Sequence, residues 1–342
     1  MTRSSTLPAP TRRPASPEFD RSADRRLSRV LWINDQAAEQ GGSERYTKLT
    51  AEALSGMGIS SSLLYDPNCH TETDFLHSFD RAYPAVDVRT QVDELDPDIV
   101  YVQQVERPDL LRDLLSTGRP VVRFLHDHRL LCLREHKYDP IRQHTCTRTT
   151  GLRCYTCPGF VGRGPDGSLE LRSLRSLHQQ QALHRSLAGC VVGSTYMRQH
   201  LVAHGFDPER VHTVPLFAGT PDAAAPEPTD DDTVETYLLF VGQLTRGKGL
   251  DILLHALAHL PEPVPLAVIG DGPQASEYRD LAVRLGLDDS VVFLGRRSPG
   301  FVTRMYRKST VLVLPSRSPE TFGLVGVEAM SHRLPKIGRA HV

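Results

Sequence analysis

Apolar residues in this chain come in short runs, each closed by glycine, proline or polar residues, with stretches of helical spacing between them. Arg29-Val-Leu-Trp-Ile-Asn-Asp35, Ile59-Ser-Ser-Ser-Leu-Leu-Tyr65, Asp98-Ile-Val-Tyr-Val-Gln103 and Pro120-Val-Val-Arg-Phe-Leu125 read as strands. Cys190-Val-Val-Gly-Ser194 and Val211-His-Thr-Val-Pro215 continue the series. Leu238-Leu-Phe-Val-Gly242, Leu266-Ala-Val-Ile-Gly270 and the run from Thr310 to Pro315 repeat it in the second half. Between them, Ser43 is placed to cap a helix whose apolar stripe is Tyr46, Leu49, Ala53, Leu54 and Met57. Thr195 to His204, Leu250 to Leu260 and Phe322 to Met330 read as further helices. Short buried strands alternating with helices predict an α/β chain with parallel sheets.

The length of 342 residues suits two domains, each with its own core. Residues 1–28, rich in Pro, Ser and Arg, read as a disordered tail. The expected order is a first domain over 29–217 with a cysteine-rich insert at about 128–160, an Ala/Pro/Asp-rich linker over 218–235, and a second domain over 236–336. With 40 Lys and Arg against 41 Asp and Glu, the net charge of -1 gives no global attraction to nucleic acid. No apolar run reaches the roughly 18 residues of a membrane span, so the expected location is cytoplasmic. One stretch departs from this balance: Arg119 to Arg153 holds eight Lys/Arg against three Asp/Glu. That local excess is an expected contact for an anionic partner, either a phosphate-linked lipid acceptor or a membrane surface met peripherally.

Candidate chemistry concentrates in the second half. Glu320 and Glu328 stand eight residues apart around the start of a helix, in Pro315-Ser-Arg-Ser-Pro-Glu-Thr-Phe-Gly-Leu-Val-Gly-Val-Glu-Ala-Met330. The unpaired amides of a helix start, here those of Gly323 and Leu324 beside Phe322, suit a phosphate, and Glu328 can accept hydrogen bonds from ribose hydroxyls. Arg246 and Lys248, in the loop before Leu250, place cations at the positive end of a helix dipole. That is unfavourable by about 0.3–1 kcal/mol each unless an anion lies between. Gly270 and Gly272, in Ile-Gly-Asp-Gly-Pro, form a tight turn against which a flat base or ribose could lie, and Gly41-Gly42 closes the loop after the first strand. Asp96-Pro-Asp98 precedes a strand and reads as a turn rather than a metal site.

In this order the motifs resemble the retaining glycosyltransferases of family 4, over roughly residues 29 to 335. The resemblance implies the GT-B fold of two facing Rossmann-like domains, an enzyme, and a nucleotide-diphosphate sugar as donor, with no metal in catalysis. It implies that His126, in Phe-Leu-His-Asp after the strand ending at Leu125, contacts the transferred sugar together with Glu320. Arg246, Lys248, Gly323 and Leu324 would hold the diphosphate, Glu328 the ribose, and Gly41 and Gly42 would face donor phosphate or acceptor, a glycan or lipid-linked molecule. Gln243 stands where many members have arginine. The pattern stops at Leu334-Pro335, where the family continues, and Ile337-Gly-Arg-Ala-His-Val342 can be encoded by ATCGGAAGAGCACACGTC, the start of a common sequencing adaptor. The second domain is therefore expected to be truncated, the last six residues foreign, and the 342-residue product inactive. Two alternatives stay open: another enzyme of the same architecture, such as a phosphorylase or epimerase, and a non-catalytic nucleotide-sugar binder or metal-dependent interaction module.

Four of the six cysteines cluster. Cys154-Tyr-Thr-Cys157 has the spacing for two thiolates on one tetrahedral ion, and Cys132 and Cys146 could complete a structural zinc site, with His136 or His144 as substitutes. Reduced structural thiols or disulfides are the other readings.

Overall fold

A computed structural model describes residues 27–39, 41–139, 144–157, 160–163, 169–219 and 236–338. In the first domain, seven parallel strands form one sheet. They are β1 (Arg29–Asn34), β2 (Ser60–Tyr65), β3 (Arg81–Pro84), β4 (Ile99–Val102), β5 (Val121–Leu125), β10 (Gly189–Val192) and β11 (Val211–Thr213), in the order β3-β2-β1-β4-β5-β10-β11. Two antiparallel hairpins, β6 (Tyr138–Asp139) with β7 (His144–Thr145) and β8 (Val161–Arg163) with β9 (Leu169–Leu171), interrupt the series after β5. The helices are α1 (Gly42–Gly56), α2 (Thr73–Leu76), α3 (Val88–Leu95), α4 (Pro108–Ser116), α5 (Leu174–Arg185) and α6 (Thr195–Ala203).

The second domain repeats the plan. Strands β12 (Leu238–Val241), β13 (Leu266–Ile269), β14 (Val291–Gly295), β15 (Val311–Leu314) and β16 (Lys336–Gly338) pair in parallel in the order β14-β13-β12-β15-β16. They alternate with α7 (Leu250–Ala258), α8 (Ala275–Arg284), α9 (Pro299–Lys308) and α10 (Leu324–Ser331).

The strands are apolar throughout because helices cover both faces of each sheet, and successive residues serve opposite layers. In β1, Leu31 and Ile33 join Leu64, Val100 and Val102 on one face, while Val30 and Trp32 join Leu63, Phe75 and Phe79 on the other. In β12, Phe240 packs with Leu250, Leu254 and Tyr278, and Leu239 with Leu312, Ala329 and Tyr306. A further apolar cluster belongs to neither domain alone. Tyr46, Phe124, Val191 and Leu216 of the first domain enclose Phe322 of the second, flanked by Leu324 and Val327.

Strand order decides where ligands can enter. Each sheet runs outward in both directions from its first strand, so the connections after β1 and β4, and after β12 and β15, diverge and leave a crevice at the carboxyl edge. Those connections hold Gly41 and Gly42, Gln103, Lys248 and Glu320.

Several local expectations need correction. Helix α1 is entered through Gly41, in extended backbone without a side-chain cap, and Ser43 instead donates to Glu44 at 2.8 Å. Its buried face is Glu44, Tyr46, Thr47 and Ala51, whereas Ala53 and Met57 are exposed: Ala51 packs with Val30 and Trp32, and Tyr46 with Phe124 and Leu216. Neither β3, β14 nor the two hairpins were foreseen, the hairpin strands being too short to carry a period. Ile337 and Gly338, just past the expected boundary at 336, pair with Val313 and Leu314, a backbone ladder that does not depend on side-chain identity. The tail up to 26, most of the expected linker (220–235) and 339–342 lie outside the described residues.

The basic stretch is not one surface. Lys137 is 1% exposed, Arg123 turns inward to the Val105 carbonyl at 2.8 Å and the His184 ring, and Arg119 and Arg129 pair with Asp96 and Glu106. No helix among the described residues is long and apolar enough to cross a membrane.

Burial pushes five histidines of the first domain far below their ordinary pKa of 6.5: His126 and His184 to about 3, His128, His200 and His204 to about 4. The unfolded chain takes up these protons near its ordinary values and the folded chain does not, so stability is present above about 6.5 and is lost as pH falls toward 4. Urea midpoints should therefore drop progressively between about pH 7 and pH 5. A midpoint constant over that interval contradicts this placement of the histidines.

Candidate functional site

The second domain contributes two loops that lock together. After β12 the chain makes a short helical turn, Arg246–Lys248, ended by Gly249 at φ 71. A Cβ on Gly249 would lie 2.2 Å from the Pro315 carbonyl oxygen, so only glycine allows this loop to meet the one after β15. The amides of Arg317 and Ser318 then donate to the Gly247 carbonyl at 2.8 and 2.9 Å. This contact brings Lys248 to Glu320. Its Nζ donates to both carboxylate oxygens, at 2.7 and 2.9 Å, and Ser316 Oγ donates to Oε1 at 2.6 Å. Burial works to raise the Glu320 pKa, but the Lys248 ammonium and these hydrogen bonds outweigh it and hold the group below the ordinary glutamate value.

Gly270 has φ 136, and a Cβ there would lie 1.9 Å from the Gly242 carbonyl oxygen; the same side of Gly272 faces Leu244. The space that the sequence reading gave to a base or ribose is, on that side, filled by the neighbouring loop. The requirement for glycine is met inside the protein.

Glu328, on α10, is held across the domain boundary. Arg45 of α1 forms an ion pair with its Oε1 at 3.0 Å and with Glu39 at 3.0 Å, while the Tyr306 hydroxyl donates to Oε2 at 3.1 Å. Burial prevails here and raises the Glu328 pKa, against the lowering by Arg45 and Tyr306. Helix α10 starts at Leu324, with Gly323 as its cap at φ 87, and a Cβ on Gly42 would stand 3.4 Å from the Leu324 side chain. The glycine loop of the first domain and the helix start of the second are thus in contact.

The first domain adds a half-buried imidazole and three further ties. His126 stacks on Phe124 with ring centres 4.2 Å apart and meets the edge of Tyr46 at 5.7 Å. Its Nε2 lies 2.8 Å from Gln103 Oε1, and burial outweighs the opposing pull of Asp127, so the ring is neutral at ordinary pH. The ties grip the Arg317–Thr321 backbone: Thr145 Oγ1 donates to Arg317 O at 3.0 Å, His128 Nε2 meets Pro319 O at 3.3 Å, and Ser194 Oγ donates to Thr321 O at 2.6 Å. Sequence reasoning missed Arg45, Gln103, His128, Ser194 and Ser316. The only signal for them was position: each stands at or just beyond a strand end, or in the first turn of a helix that opens on the cleft.

Two predicted groups are placed differently. Arg246 does not join Lys248 at Glu320. Its guanidinium faces Glu277 at 3.3 Å in a separate cavity, because the helical turn points residues 246 and 248 in different directions. The zinc site of Cys132, Cys146, Cys154 and Cys157 is not formed either: among the described residues no group of three or more Cys, His, Asp or Glu can hold a metal ion. The Lys137 ammonium lies close enough to Cys132, Cys146 and Cys154 to interact electrostatically with all three, and its charge opposes a second cation there. None of the four is in a disulfide, and Cys154 packs with Leu133, Leu174 and Leu177.

Comparison with known proteins agrees with this architecture. Residues 224–341 match the family described as Glycosyl transferases group 1. The D-inositol 3-phosphate glycosyltransferase of Mycobacterium sp. (strain JLS) is 34% identical over 180 residues, which are 49% of this chain and 40% of that relative. The chain thus spans well under two thirds of the length of the curated relatives it matches. Among solved structures, Anabaena HepE in complex with UDP and glucose superposes with a TM-score of 0.64 at 17% identity, over 91% of this chain and 80% of its own. Sucrose-phosphate synthase from Thermosynechococcus elongatus gives 0.60 at 16%, over 91% and 81%. Residues 224–341 are thus similar to the group 1 glycosyltransferases, and the two domains together take the GT-B fold.

Proposed function

We propose that this chain is the framework of a retaining glycosyltransferase that takes its sugar from a nucleotide-diphosphate sugar and passes it to a hydroxyl of a glycan or lipid-linked acceptor. The observation that carries the reading is the meeting of Lys248 and Glu320 where the diverging loops of both sheets face one another. Relatives named for sugar transfer and structural neighbours holding UDP support the donor class.

Lys248 has three ammonium protons and spends two on Glu320, so it can receive a diphosphate oxygen without releasing the carboxylate. The amides of Gly323 and Leu324 offer a second set of donors to the same anion. With Arg246 engaged elsewhere and Gln243 neutral, Lys248 supplies the main fixed positive charge for the leaving group. Glu328 accepts the ribose hydroxyls once Arg45 yields, and Glu320, kept ionised, accepts those of the sugar. His126, neutral and oriented by Gln103, contacts the sugar from the first domain. Attack comes from the face of the departing phosphate, which takes up the acceptor proton, so no protein group has to act as the base.

Replacing Lys248 by Ala, or Glu328 by Ala, should weaken binding of UDP-glucose by about 1.5–3 kcal/mol each in calorimetry while circular dichroism stays native. Unchanged affinity in both variants overturns the donor site. The ring protons of His126 should show no titration in NMR spectra between about pH 5 and pH 8. An inflection near its ordinary value contradicts the neutral role given to it.

A further inference from the structure

A cavity of about 270 Å³ lies beside the donor loops but outside the site just described, between the β6–β7 hairpin of the first domain and helices α7 and α8 of the second. Its wall holds Arg246, Arg284 and Arg317, the acids Asp251 and Glu277, and His255, with Tyr138 and Tyr278 closing it. Arg317 is paired with Asp251 at 2.7 Å and Arg246 with Glu277 at 3.3 Å. Arg284, exposed at the rim, has no ion-pair partner among the described residues, so the three arginines exceed the two acids by one charge. Tyr278 is 2% exposed, and its hydroxyl has no hydrogen-bond partner within the protein. A buried hydroxyl without a partner is a cost that a chain retains where something else supplies the bond.

We propose that this cavity binds a phosphate monoester. Arg284 supplies the uncompensated charge, Tyr278 donates its free hydroxyl to a phosphate oxygen, and the paired guanidiniums of Arg246 and Arg317 present their remaining N–H groups to the same anion. A nucleotide sugar needs a larger site, whereas a phosphate with a small alcohol fits the volume. The occupant reports to the donor site through the chain itself. The Arg317 amide donates to the carbonyl of Gly247, next to Lys248; the Arg317 carbonyl accepts from Thr145; and Arg317 is three residues from Glu320. An anion that draws on Arg317 therefore pulls on the loop that sets the Lys248–Glu320 pair.

The phosphate can come from a free ester or from a lipid headgroup, and two arms separate them. In the first, glycerol 3-phosphate is titrated into the full chain by phosphorus NMR and thermal shift. Arg284→Gln should weaken its binding at least about ten-fold and Tyr278→Phe at least about three-fold. Tyr278→Phe without phosphate should melt no lower than the parent, since it removes only an unpartnered group. Lys248→Ala should keep the binding, which separates this cavity from the donor site: loss in Lys248→Ala with retention in Arg284→Gln assigns the phosphate to the donor site and overturns the proposal. In the second arm, sedimentation with phosphatidic acid vesicles but not phosphatidylcholine vesicles, weakened by the same two substitutions, assigns a headgroup. Binding in neither arm, or binding indifferent to both substitutions, overturns it.

Discussion

The ion pair between Lys248 and Glu320 is the constraint on which the rest of this structure turns. A carboxylate as enclosed as Glu320 is costly to keep ionised, and without a cation it would take up a proton. Lys248 removes that cost, with Ser316 donating one further hydrogen bond to Oε1. Bringing the ammonium there requires the loops after β12 and β15 to touch, which requires Gly249, since any side chain would strike the Pro315 carbonyl. One electrostatic need thus dictates a backbone conformation, the conformation dictates a residue, and the result is a charged pair poised at the mouth of a cleft.

The same loop is what the two domains share. Thr145, His128 and Ser194 bind its backbone, Phe322 is buried among Tyr46, Phe124, Val191 and Leu216, and Arg45 reaches Glu328. Domain contact and ligand chemistry are therefore not independent. In the function proposed above, a donor whose ribose takes Glu328 competes with Arg45, and one whose diphosphate reaches Lys248 shares it with Glu320. Binding exchanges partners within a network that is already assembled, so its net energy is the difference between two sets of charged hydrogen bonds rather than the sum of one.

Much of this was legible in the residues. Strands buried on both faces announce themselves as apolar runs, which is why the central strands of both sheets followed from pattern alone; Lys248 stood out because a cation at a helix start needs a reason, and Glu320 and Glu328 because of their eight-residue spacing within the motif. What escaped was whatever depends on direction. A three-residue turn sends Lys248 to Glu320 and Arg246 to Glu277, and nothing in the spacing distinguishes them. Cysteine spacing likewise suggested zinc, while the decisive neighbour, Lys137, drew no notice because a lysine in a polar insert is ordinarily solvated. Gly270 and Gly272 read as room for a ligand, whereas backbone from the adjacent loop occupies that side. Tertiary contacts decided each case, and they are not encoded in local period.

The central claim is that Lys248 and Glu320 act as one unit in holding the donor. A double-mutant cycle tests it most directly: UDP-glucose affinity measured for the parent, Lys248→Met, Glu320→Gln and the double variant. The account predicts that the double variant loses little more than either single one, leaving a coupling of about 1–3 kcal/mol between the two positions. Losses that simply add would show that the residues contribute separately and would contradict it.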